Sequence, residues 1–393
     1  MDLNALLWTA VVRGGSDLHL KADAVPMARI DGSLAAIGER PLAEADLEAA
    51  LYAVTERTPA KRDAFYATGD LDTAYVADGV GRFRVNGFRQ RGTISFAFRH
   101  VPKHIPTFVE LGLPVGVEKL ADEHRGLVLV TGATGSGKTT TLAAMLDKIN
   151  RTRRHHIVTI EDPIEIVHED RGCIVNQREV GLDTESYLEA LRRVLRQDPD
   201  VILIGELRDE ESAKTALQAA ESGHFVLSTM HTIDAAETVG RLIEFFPPAK
   251  QLMVRQILAG VLRGVVSQRL LPRIGGGRLA AVEVMVNTAR IAELIRDPLK
   301  TEVIPEAIEE GAFHHMQTFS QHLVELVLAE LVDFETAAAA ATNRHDFEIA
   351  VEQALRKKRA TEAGVTTAVD VEDMTEEDQG EEEGPTALRL ASS

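Results

Sequence analysis

Gly132-Ala133-Thr134-Gly135-Ser136-Gly137-Lys138-Thr139 fits the phosphate-binding pattern GxxxxGK[ST]. An apolar run, Gly126-Leu127-Val128-Leu129-Val130-Thr131, leads into it, and Thr140-Thr141-Leu142-Ala143-Ala144-Met145-Leu146, compatible with a helix, leads out. Strand, glycine-rich loop and helix in that order are the context the pattern requires. The glycines let backbone N–H groups curl around phosphate oxygens, and a helix N-terminus adds partial positive charge. Lys138 is expected to reach the β- and γ-phosphates, and the Thr139 hydroxyl to ligate Mg²⁺. The alternative is a plain glycine-rich turn, which does not call for Lys-Thr in this register. A nucleoside triphosphate, ATP with Mg²⁺, is therefore the expected ligand.

Working outward, 393 residues suggest two or three domains. No apolar run reaches membrane-spanning length. The start, Met1-Asp2-Leu3-Asn4, lacks the basic-then-apolar shape of a signal peptide. A single cysteine, Cys173, excludes an internal disulfide and any multi-cysteine zinc site, and cytoplasm is the expected compartment. The formal charge is −18, but nine acids and no base fall within 370–383, and without them 52 acids stand against 43 bases. Half of the acidity is thus a tail, of a composition that is usually disordered. A mildly acidic remainder argues against nucleic acid as a partner.

Residues 1–100 read as one α+β domain, with strands near 17–20, 26–30, 82–86 and 93–98 and helices near 42–54 and 59–66. A linker, 101–110, contains Pro102 and Pro106. Residues 111–290 alternate strand and helix, the sign of a mostly parallel sheet. The stretch 291–358 reads as helical, and 359–393 as the disordered acidic tail.

Four apolar runs end in chemically loaded residues: Thr131 in the glycine loop, Ile160 in Glu161-Asp162-Pro163, Gly205 in Glu206, and Met230 in His231. In an open parallel sheet ligands sit beyond the carboxyl ends of the strands, so all four would rim one crevice. Glu206 would orient or deprotonate a water and hold the Mg²⁺ shell; the alternative is a solvated loop acid. Glu161 would bind Mg²⁺ through water or polarise the nucleophile, although paired acids before proline also occur in turns. His231 reads equally as a donor to the γ-phosphate and as a structural histidine. Arg192 and Arg196 are spaced four apart on an expected helix over 184–196, and Arg84 and Arg99 lie on N-terminal strands. Each would stabilise developing phosphoryl charge or simply snorkel at the surface.

With these residues in place, the chain resembles the PilT/PilU family, the type IV pilus retraction ATPases of the secretion-ATPase superfamily. Gly15-Ser16-Asp17-Leu18-His19-Leu20 is similar to the family's N-terminal signature, and 132–139 to its Walker A loop. Thr159-Ile160-Glu161-Asp162-Pro163-Ile164-Glu165 resembles the Asp box. The stretch 198–206 with Arg208-Asp209 resembles Walker B, and 221–232 the His box. The resemblance implies a PAS-like N-terminal domain, a RecA-like P-loop ATPase domain and a homohexamer with ATP between subunits. It implies that His231 contacts the γ-phosphate, that Glu206 is the acid/base, and that Arg84, Arg99, Arg192 and Arg196 contact ATP across domain or subunit boundaries. An inner-membrane pilus platform protein and a paralogous retraction ATPase are the implied partners, at the cytoplasmic face of the membrane. Two stretches depart from the PilT pattern. Residues 289–297 keep the Leu-Ile-Arg core of its AIRNLIRE-like segment without the asparagine, and 281–288 is closer to PilU. The implied function is a hexameric motor for pilus retraction and twitching motility. The alternatives are a PilU-like accessory ATPase and an extension or type II secretion ATPase, the last disfavoured by the single cysteine.

Overall fold

The computed structural model describes residues 1–30, 32–101 and 104–362. The chain first forms a six-stranded antiparallel sheet from β1 (Gly15–Lys21), β2 (Met27–Ile30), β3 (Ser33–Ala36), β4 (Asp70–Ala77), β5 (Gly81–Gln90) and β6 (Thr93–Val101), in the order β3-β2-β1-β6-β5-β4. Alternation on β5 puts Phe83 and Val85 into a core with Phe96 and Phe98 of β6. The opposite face carries Arg82 and Arg84, and Arg99 of β6 is the register partner of Arg84. Helices Leu3–Val12, Glu44–Val54 and Pro59–Thr68 complete this part. The first of these helices, β3 and β4 are additions to the sequence reading. The stretch read as linker is partly ordered: β6 runs on to Val101, and a helix Phe108–Leu111 begins within it.

The second sheet contains β7 (Gly126–Thr131), β8 (His156–Glu161), β9 (Ile174–Glu179), β10 (Val201–Ile204), β11 (Phe225–Met230), β12 (Leu262–Pro272) and β13 (Arg278–Val286), in the order β13-β12-β7-β11-β10-β8-β9. Every neighbouring pair is parallel except β12 with β13. Strands β7, β10 and β11 are buried at every position, which is why they read as unbroken apolar runs. Helices cover both faces. Helix Lys138–Thr152 packs with one cluster around Val128 and Met145, and helices Glu210–Glu221 and Ala235–Glu244 with the other around Leu129 and Leu242. Because β7, β11, β10 and β8 are adjacent and parallel, their carboxyl ends lie side by side on one edge.

The β12–β13 hairpin corrects the expectation of αβ alternation up to 290. Helices then run from Ala289–Arg296 to Arg344–Glu362, so the last one continues past the expected boundary at 358. The acidic run 370–383 lies outside the described residues. Among the described residues, no helix is long and apolar enough to cross a membrane.

Candidate active site

The glycine loop is shaped by its neighbours. A Cβ on Gly132 would lie 2.4 Å from the Gln268 carbonyl oxygen and 2.6 Å from Ser136 Oγ, so no other residue fits there. Gly137 sits at φ +93° and precedes helix Lys138–Thr152, whose first turn has no side-chain cap. Its leading N–H groups are therefore available to an anion. Lys138 is 8% exposed and donates from Nζ to the carbonyls of Gly132 (2.7 Å) and Ala133 (3.0 Å). Burial lowers its pKa, with Glu165 opposing. Ser136 Oγ is buried without a hydrogen-bond partner. A buried ammonium held only by neutral carbonyls, an orphaned hydroxyl and an uncapped helix start together fit a polyphosphate.

The other three strand ends face this loop. Glu206 follows β10, and His231 follows the adjacent β11. Their side chains meet, with His231 Nε2 3.0 Å from Glu206 Oε2. Burial first, then Lys138 and Arg208, hold the His231 pKa below its ordinary value. The imidazole is thus neutral at pH 7 and donates its Nε2 proton to the carboxylate. Arg208 pairs with the other oxygen of Glu206. Tyr187 braces the strand end: its hydroxyl donates to the Ile160 carbonyl (2.8 Å) and accepts from the Glu206 amide (3.3 Å). Burial raises the Tyr187 pKa well above the usual phenol value, so it remains a neutral donor. Glu161, at the end of β8, accepts from Thr159 Oγ1 (2.6 Å) and Gln177 Nε2 (3.1 Å). Both bonds favour the carboxylate, but burial is the larger effect and raises its pKa.

These groups line one cleft of about 540 Å³, together with Thr134, Gly135, Gly137, Thr139, Thr140, Asp162, Glu165, Arg84 and Arg99. Arg84 approaches Glu165 (3.9 Å), and Arg99 Nε donates to Asp17 Oδ1 (2.9 Å). The cleft therefore lies between the two sheets. Gly132, Ala133 and Ser136 of the loop do not line it.

Arg192 and Arg196 do not line it. Arg192 pairs with Glu189 and Glu211 at the surface. The helix Tyr187–Val194 ends before Arg196, so the two do not share a helix face as the spacing implied. The chain must leave the helical conformation ahead of Pro199, and Asp198 does so at φ +54°. Sequence reasoning missed Tyr187, His168 and Arg278, which also line the cleft. Arg278 opens β13 directly after Gly275-Gly276-Gly277, a turn signal that points to the hairpin.

The family model described as Type II/IV secretion system protein matches residues 115–371. The chain is 46% identical over 337 residues to the type IV pilus retraction ATPase PilT of Pseudomonas aeruginosa, covering 86% of this chain and 97% of that protein. It is 40% identical over 356 residues to the type IV pilus ATPase PilU of the same organism, covering 89% and 91%. A crystal structure of the pilus retraction motor PilT with bound ADP superposes with a TM-score of 0.81 at 43% identity, covering 88% of this chain and 99% of that one. The chain belongs to the type II/IV secretion system protein family, in its PilT/PilU branch of type IV pilus retraction ATPases.

Proposed function

We propose that the cleft hydrolyses ATP and that turnover drives retraction of type IV pili. The observation that carries this reading is the contact between Glu206 and His231 beside Lys138: an acid and a neutral imidazole stand where a γ-phosphate would end. Glu206 orients the attacking water and takes its proton at the carboxylate. His231 turns its Nε2–H from Glu206 to a phosphate oxygen. Lys138 exchanges the loop carbonyls for phosphate, and Thr139 and Thr140 close the first helical turn around it.

Among the described residues, no cluster of three or more His, Cys, Asp or Glu side chains would hold a metal ion alone. Mg²⁺ would instead enter with the phosphates and neutralise their charge, held by the Thr139 hydroxyl and through water by Glu161 and Glu206.

The antiparallel unit, 1–100, is read as PAS-like and joined by the linker 101–110 to a RecA-like core, 111–290. A helical part follows, from Ala289–Arg296 to Arg344–Glu362. Arg84 and Arg99 reach the nucleotide from the PAS-like unit. Arg192 and Arg196, exposed outside the cleft, would reach the nucleotide of a neighbour in a homohexamer with ATP between subunits. The ring works at the cytoplasmic face of the membrane, against a pilus platform protein and alongside a paralogous retraction ATPase. A deletion strain tests the role: it should carry surface pili that no longer retract, whereas a bald strain would support the extension reading.

A further inference from the structure

Glu179 closes β9, in register with Glu161 at the end of β8. It is 1% exposed, and the chemistry above does not use it. Two donors from distant parts of the chain meet on its Oε2. One is Arg82 of β5, ion-paired with it. The other is the Ile164 amide, 3.2 Å away, in the loop that carries Asp162 and Glu165. The Glu179 amide is itself held by Asp183 Oδ2 at 2.8 Å, which fixes the base of the side chain. Arg82 and Arg84 are two apart on β5 and share a face, so the strand that delivers Arg84 to the cleft is anchored one step away by Glu179.

A second, more exposed contact, Arg84 with Glu165 at 3.9 Å, also spans the two parts. Among the described residues, no strand or helix within 1–101 packs broadly against one of the second sheet's elements. A second cleft of about 610 Å³ opens beside Arg82, between residues 76–82 and the Asp147, Val167 and Arg171 side chains. The ion pair thus stands between the two clefts. Separating it would strand a buried charge, so movement about it is bending rather than opening.

We propose that Glu179 is a positioning residue: by holding Arg82 and the Ile164 amide on one carboxylate, it sets Arg84 against Glu165 of the acidic loop. Tilt of the N-terminal sheet and closure of the nucleotide cleft then become one movement. The proposal rests on the reading of that cleft as the ATP site.

Two measurements on the full chain test it. In ATP hydrolysis, Glu179→Gln should lower kcat about tenfold or more, with a smaller change in KM. The same substitution in an Arg84→Ala background should change kcat less than about twofold, because both act through one contact. For the second, spin labels are placed at Val76→Cys and Ile174→Cys, exposed positions on the two sheets, in chain diluted with unlabelled protein; Cys173 is buried and stays. The distance distribution should be narrow with Glu179 and broad with Glu179→Gln. An equal kcat loss in both backgrounds, or an unchanged distance distribution, overturns the proposal. If Glu179→Gln fails to fold, Arg82→Lys, which keeps the charge and shortens the reach, is measured in its place with the same outcomes. Should the wild-type chain not hydrolyse ATP, the functional reading fails, and the distance measurement still decides the joint.

Discussion

Glu283 offers a perturbation whose size follows from its surroundings. It lies on β13, 6% exposed, and accepts from the Ala235 amide at 2.8 Å. Burial raises its pKa from 4.5 to about 7; the Ala235 N–H opposes this, Asp234 adds to it and Arg269 opposes it. In the unfolded chain the group loses its proton near pH 4.5, whereas the folded chain keeps it until about pH 7. The folded state therefore holds more protons in that window, and stability falls as pH rises through it. A shift of ~2.5 units at ~1.4 kcal/mol each is about 3.5 kcal/mol in full, of which about 2.5 kcal/mol falls between pH 5 and pH 8. Glu283→Gln keeps an oxygen for the Ala235 amide and removes the titration. Urea unfolding of wild type and variant at pH 5 and pH 8 reads the difference. The variant should gain about 2.5 kcal/mol on the wild type between the two pH values. An identical wild-type-to-variant difference at both pH values, within ~0.5 kcal/mol, would refute the reasoning.

Two further outcomes follow from the site. Lys138→Ala removes the buried ammonium from the loop, so nucleotide binding should weaken about tenfold to a hundredfold, the worth of a charged hydrogen bond; unchanged affinity in calorimetric titration with ATP contradicts its role. On the proposed ring, the chain with a non-hydrolysable ATP analogue should sediment as a six-subunit assembly, and a strict monomer in all conditions counts against it.

The parallel core was legible because β7, β10 and β11 are buried on both faces and leave unbroken apolar runs bounded by glycine, proline and acids. Their loaded ends bring Lys138, Glu161, Glu206 and His231 to one cleft. Strand β12 was not legible for two reasons. Helix Pro248–Val261 passes directly into it at Leu262 with no connecting loop, so no stretch of turn residues separates the two elements. Its polar residues are also inside: Ser267 accepts from Thr131 Oγ1 (3.0 Å), and Gln268 donates to Thr141 (2.9 Å). Tyr187 escaped because its role depends on contacts with Ile160, 27 residues before it, and Glu206, 19 residues after it, which local patterning does not carry. Arg196 was misplaced because Pro199 acts back through Asp198 to end the helix early.

Glu206 is assigned chemistry on a nucleotide that the loop already holds. The most direct test compares ATP affinity and hydrolysis in wild type and Glu206→Gln. The substitution keeps the shape and the contact with His231 and removes only the acid. ATP should bind with affinity within about twofold of wild type while turnover falls by about a hundredfold or more. A Glu206→Gln chain that hydrolyses ATP at the wild-type rate contradicts the assignment.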